Sequence, residues 1–129
     1  MMKILVVDDE PDVPLLFEQR FRHEIRSGAL AFAFAPSGEA ALEYLQQAHH
    51  YAEVVLILSD INMPGMSGLE LLRRVRTEAA PPPPPRVMMI TAYGDDDSRR
   101  QALALGADDF LTKPVDFAAL KEKLLALPA

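Results

Sequence analysis

Val54-Val55-Leu56-Ile57-Leu58 runs straight into Ser59 and Asp60, and the chain breaks at Pro64-Gly65 before helical spacing resumes at Leu69. A continuous apolar run this short, ended by turn formers, predicts a strand of a parallel sheet buried on both faces. Asp60 then stands at its carboxyl end. Alone, such a carboxylate reads as a turn former or helix cap. Its company argues otherwise. Ile4-Leu5-Val6-Val7 runs into Asp8-Asp9, Val87-Met88-Met89-Ile90 into Thr91, and Phe110-Leu111-Thr112 into Lys113. Only Ala31-Phe32-Ala33-Phe34-Ala35 ends plainly, in Pro36-Ser37.

Helical patterns separate these runs. The first starts near Glu10-Pro11-Asp12, where prolines are tolerated because first-turn N–H groups lack intrahelical partners. Val13, Phe17, Phe21 and Ile25 form its expected buried stripe, and Ser27-Gly28 stops it. In the second strand, Leu30 to Ala35, phenylalanines share one face and alanines the other, which predicts a helix packed closely on the alanine side. Ser37 caps a second helix running to about Ala48, with Ala41, Leu42 and Leu45 inward. His49-His50 close it. Adjacent helical residues diverge and no third ligand is apparent, so the pair reads as favourable charge at a helix end rather than a metal site.

The third helix, about Ser67 to Glu78, places Leu69, Leu72 and Val75 along one side. Pro81 to Pro85 follow, a stiff polyproline strut of about 15 Å at roughly 3.1 Å per residue. It reads as a rigid connection, in which proline lowers the entropy of the unfolded chain, rather than as a proline-ligand motif. Asp95-Asp96-Asp97 open a fourth helix as caps that complement its dipole, and Gly106 stops it after Leu105. The fifth strand is Asp109 to Thr112. Asp116 caps the last helix, which carries Phe117, Leu120, Leu124 and Leu125.

Five βα units predict an α/β fold: a single doubly wound five-stranded parallel sheet with five helices on both faces, because parallel neighbours need crossovers of one hand. A length of 129 residues suits one domain, residues 1–129. The net charge of −6 argues against nucleic-acid binding, which rests on clustered Lys and Arg. No cysteine is present, so disulfides, zinc-thiolate sites and thiol catalysis are excluded together, which fits a cytoplasmic protein. The apolar part of the N-terminus is too short for a signal peptide, and no run approaches the ~18 residues of a membrane helix.

In doubly wound sheets the functional crevice lies outside the carboxyl ends of the strands, where Asp8, Asp9, Asp60, Thr91 and Lys113 all fall. If the first and third strands are neighbours, three carboxylates converge. Each pair about 5 Å apart repels by roughly 3 kcal/mol at an effective dielectric near 20. Lys113 supplies one positive charge, and a hard oxygen-seeking cation, Mg²⁺ foremost, would supply the remainder. Such a site suits phosphoryl transfer, with a carboxylate able to serve as nucleophile.

Asp8-Asp9, Leu58-Ser59-Asp60-Ile61-Asn62-Met63-Pro64-Gly65-Met66-Ser67-Gly68, Thr91-Ala92 and Gly106-Ala107-Asp108-Asp109-Phe110-Leu111-Thr112-Lys113-Pro114 strongly resemble the receiver domain of two-component response regulators. The resemblance covers essentially the whole chain. It implies a flavodoxin-like fold with strand order 2-1-3-4-5. Asp60 would accept a phosphoryl group from a phosphohistidine on a sensor histidine kinase or a histidine phosphotransfer protein. Asp9, Asp60 and the carbonyl of Asn62 would ligate Mg²⁺, with Asp8 acting directly or through water. Lys113 and Thr91 would bind the phosphoryl oxygens, Phe110 would move with them, and the Lys113-Pro114 bond would be cis. Asn62 and Tyr93 would tune access of water to the phosphoryl group. The region from Asp95 to Leu127 would signal to a protein target or output domain, with no direct nucleic-acid contact. The resemblance leaves a homodimer open, and no enzymatic turnover is expected.

A haloacid-dehalogenase-type phosphatase also uses an acid after a strand, but needs a second acid two residues on, where this chain has Asn62. A flavodoxin needs hydroxyls and glycines where Asp-Asp-Glu-Pro stands after the first strand. The remaining alternative is a receiver-like interaction module that works without phosphorylation.

Overall fold

The computed structural model describes residues 2–47, 50–77, 85–92 and 94–127. Strand β1 (Met2–Val7) is followed by α1 (Val13–Arg20), α2 (Arg22–Ser27), β2 (Leu30–Ala35), α3 (Gly38–Gln46) and α4 (His50–Glu53). Then come β3 (Val54–Asp60), α5 (Gly68–Thr77), β4 (Arg86–Thr91), α6 (Asp96–Ala104), β5 (Asp109–Thr112) and α7 (Phe117–Leu125). All strand pairs are parallel, in the order β2-β1-β3-β4-β5.

Strand parity builds two cores. On one face Leu5, Val7, Ile57 and Met89 meet Ala41 and Leu45 of α3, Leu71, Leu72 and Val75 of α5, and Ala102 of α6. On the other, Ile4, Val6, Leu58 and Met88 meet Phe17 of α1, Phe21, and Leu120 and Leu124 of α7. The Phe/Ala alternation of β2 follows the same rule. Phe32 and Phe34 join Phe17, with ring centroids 5.6 and 6.3 Å away, while Ala33 and Ala35 face α3.

Side-chain oxygens start the helices where the sequence places them. Ser37 Oγ accepts from Ala40 N at 3.0 Å, Asp95 Oδ1 from Ser98 N at 3.2 Å, and Asp116 Oδ1 from Ala118 N at 3.0 Å. Each satisfies a first-turn donor that has no partner within its helix.

The structure departs from expectation in the helices. The first crossover is not one helix: Phe21, at φ −111° and ψ 22°, separates α1 from α2. The break turns the later residues out of the buried stripe, so Phe17 and Phe21 are buried while Ile25 is exposed. Val13 is half-buried, and α1 begins there rather than at Glu10. The second helix stops at Gln46, and His50 opens the short α4 instead of closing α3. In α5, Leu71 takes the inward position beside Leu72 and Val75, whereas Leu69 is half-buried. Leu125 faces solvent. His49 and Pro81 to Pro84 lie outside the described residues. Pro85 is buried. Among the described residues no helix is long and apolar enough to cross a membrane.

Candidate functional site

Parallel pairing brings the carboxyl ends of β1, β3, β4 and β5 to one edge of the sheet. Val7 pairs with Ser59, Asp60 with Ile90, and Thr91 with Thr112. The residues that follow each strand are therefore delivered together. Asp8, Asp9 and Asp60 each offer a carboxylate oxygen, all within 4.8 Å of one another.

Asp60 is 2% exposed, and its two oxygens take different donors, one from the loop that follows β3 and one from the residue that follows β5. Oδ1 accepts from the backbone N–H of Asn62 at 3.1 Å. Oδ2 accepts from Lys113 Nζ at 2.6 Å, a charge-assisted bond spanning β3 and the end of β5. The wholly buried Ser59 turns away from the cleft and donates to the Asp60 carbonyl at 3.0 Å. Asp8 is half-buried, and its Oδ1 accepts from Glu10 N at 2.9 Å, while Asp9 is exposed.

The charges do not balance locally. Burial pushes the Asp8 carboxyl above its ordinary range; the Glu10 N–H opposes the rise and the charge of Asp60 adds to it. Burial works against the Lys113 ammonium, but the hydrogen bond and charge of Asp60, joined by Asp8 and Glu10, outweigh it and hold its pKa above the usual lysine value. Three converging carboxylates against one ammonium leave an excess of negative charge. A hard divalent cation with oxygen preference fits that donor set.

Thr91 is 2% exposed and lies next to the cleft on β4. Its hydroxyl donates to the Leu111 carbonyl at 3.4 Å, a long contact that is readily given up. Phe110 is half-buried against the first core, and the Arg99 guanidinium lies 5.0 Å from its ring centre. The Lys113-Pro114 peptide is cis. Asn62 is exposed at the mouth, and Tyr93 lies outside the described residues.

The structure thus gathers Asp8, Asp9, Asp60, Asn62, Thr91 and Lys113, with Phe110 one step away across β5. Two contributors escape a reading of the sequence. Arg99 reaches Phe110 from the second turn of α6, and nothing in its local sequence marks it. Gly68 shows in the sequence only as a residue at the start of the third helix and the end of the quoted motif. A Cβ there would lie 2.2 Å from the Asp60 carbonyl oxygen, so close approach of backbone to backbone requires glycine.

The response regulator receiver domain family matches residues 4–125. The two-component response regulator PhoP of Pseudomonas aeruginosa is 36% identical over 126 residues, covering 98% of this chain and 51% of that protein. The virulence sensor protein BvgS of Bordetella pertussis is 38% identical over 127 residues, covering 95% of this chain and 10% of that protein. The crystal structure of a response regulator receiver protein from Pseudomonas putida superposes with a TM-score of 0.79 at 27% identity, covering 96% of this chain and 94% of that one. The chain spans about half the length of PhoP, or less in the case of BvgS.

Proposed function

Because this chain belongs to the receiver-domain family of two-component response regulators, we propose that Asp60 is its phosphoacceptor and that residues 1–129 form one receiver domain. The observation that carries this reading is the state of the Asp60 carboxylate. It is buried, flanked by two further acids, and held by one fixed backbone donor and one long, flexible ammonium.

The donor would be a phosphohistidine of a sensor kinase or phosphotransfer protein. An oxygen of Asp60 attacks phosphorus, the P–N bond breaks, and its electron pair returns to the imidazole, leaving an acyl phosphate on Asp60. Receiver domains bind Mg²⁺ at an acidic pocket, and here Asp8, Asp9, Asp60 and the carbonyl of Asn62 would hold it. When bound, the ion supplies charge neutralisation for the phosphoryl oxygens. Lys113, already at the carboxylate, passes to those oxygens. Thr91 exchanges its long bond to Leu111 for a bond to the phosphoryl group.

Phosphorylation adds about −1.5 to −2 charge and new acceptor oxygens. Thr91 and Lys113 satisfy those acceptors in only one arrangement of the β4–α6 and β5–α7 units, and that difference in contacts shifts the population. The readout surface would be Asp95 to Leu127, presented to a protein target or an output domain. Asn62 and Tyr93 would set the lifetime of the acyl phosphate by tuning access of water.

The test is Mg²⁺-dependent labelling with acetyl phosphate, followed by intact mass. Wild type gains one phosphoryl group; Asp60→Asn, or wild type without magnesium, gains none. No gain in wild type under conditions that label other receivers would sink the reading in favour of an interaction module independent of phosphorylation.

A further inference from the structure

Strand β2 is an edge of the sheet, and among the described strands it pairs with β1 alone. The carbonyls of Ala29 and Ala35 accept from Met2 and Asp8 on the β1 side. By the alternation of an extended chain, the N–H and C=O groups of Leu30, Phe32 and Phe34 therefore point to the open edge. Natural edge strands are usually blunted by charge, proline or a bulge. Leu30 to Ala35 contains no charged residue and no proline, and its pairing with β1 runs without a register shift.

Beside that edge lies a groove of about 480 Å³, with Phe32 and Phe34 on one wall and Ile25 of α2 on the other. Its rim carries Arg22 and Arg26, neither with an ion-pair partner among the described residues, against the single acid Glu18. A surplus of unpaired guanidinium on a chain of net charge −6 is a local reversal of sign. We propose that the β2 edge and this groove form a docking site for an extended, acidic segment of a partner protein, added to the sheet as a further strand. Its backbone would take up the free ladder groups of Leu30, Phe32 and Phe34. Alternate apolar side chains would enter the groove, and flanking carboxylates would meet Arg22 and Arg26. A second copy of this chain fits less well, because it would bring a second surplus of arginine to the same rim.

The probe is the synthetic peptide Glu-Thr-Val-Thr-Val-Thr-Glu, blocked at both ends, titrated into the full chain and followed by amide NMR. Saturable shifts and slowed amide exchange at Leu30, Phe32 and Phe34 are expected. The same peptide with lysine in place of glutamate should bind at least roughly tenfold more weakly, as expected for the loss of two rim charge pairs. Arg22→Glu with Arg26→Glu, both at exposed positions, should reverse that preference. Equal binding of the two peptides, or no response of the β2 amides at millimolar peptide, would overturn the proposal. Concentration-dependent doubling of the mass of the chain alone, with protection of the same amides, would also overturn it and give the edge to a second copy.

Discussion

The position a Cβ would occupy on Gly68 lies 2.2 Å from the main-chain carbonyl oxygen of Asp60. The first turn of α5 rests directly on the end of β3, with Gly68 N bonded to Ile61 O at 2.8 Å. Gly68→Ala must therefore push α5 away from the acceptor residue. The expected cost is about 1–3 kcal/mol in urea denaturation, together with slower labelling of Asp60. Gly28→Ala is the contrast. Gly28 has φ +81° with nothing near its absent Cβ, so backbone strain alone should cost about 1 kcal/mol and labelling should be unchanged.

Asp8 holds its proton to higher pH in the folded chain than in the unfolded one. The folded state then binds more protons, so stability falls as pH rises through the raised pKa, in the window just above the ordinary carboxylate range. Asp8→Asn should flatten that fall and, without divalent ions, stabilise the protein at neutral pH by about 1 kcal/mol through relief of the cost of burying the charge and, secondarily, of its repulsion with Asp60. Added Mg²⁺ should raise the melting temperature of wild type more than that of Asp8→Asn. Differential scanning calorimetry against pH, with and without Mg²⁺, checks both outcomes.

Arg76 ties the far end of the sheet together. Its guanidinium donates to Pro85 O at 2.9 Å, to Gly106 O at 2.9 and 3.2 Å, and to Asp108 Oδ2 at 2.7 Å. The same Asp108 oxygen accepts from Val87 N at 2.7 Å. Arg76→Ala strands these acceptors and should cost about 2 kcal/mol. Arg76→Lys should recover less than half, because an ammonium cannot span the same acceptors as the guanidinium fork. Chemical denaturation of the two variants provides the comparison.

Arg99 sits over the Phe110 ring at 5.0 Å. A contact of this kind is worth about 0.5–1 kcal/mol, so Arg99→Ala should change the rotamer populations of Phe110 by roughly two- to fivefold. Fluorine NMR of 4-fluorophenylalanine at position 110 reads that change directly. Identical spectra in the two proteins would show that Arg99 has no hold on the ring.

The strands and the acidic cleft were legible because each depends on one short stretch of chain. An apolar run, a polar residue at its end and a turn former after it are local facts, and a parallel sheet turns such facts into proximity. Asp8, Asp9, Asp60 and Lys113 meet for that reason. The break at Phe21 was hidden because Val13, Phe17, Phe21 and Ile25 satisfy an unbroken helical period, and packing of Phe21 against β2 and α7 overrides it. Leu71 is buried beside Leu72 and Val75 while Leu69 packs half-buried at the margin of the same core, a ranking within one helical stripe that residue spacing alone does not fix. Arg76, Arg99 and Glu39, whose carboxylate accepts from Met66 N at 3.4 Å, act across separations that no periodicity records.

The pairing of Asp60 with Ile90 sets an arithmetic limit on how β3 can change in evolution. Removing one residue from within the strand would move Asp60 into the position of Ser59, turning the carboxylate to the opposite face of the sheet. Removing two would restore its side but draw it back about 6.6 Å along the strand, beyond the reach of the lysine that now touches it. Substitution remains open to this strand, whereas gain or loss of residues is closed to it, so lineages of this chain should vary in length only between elements.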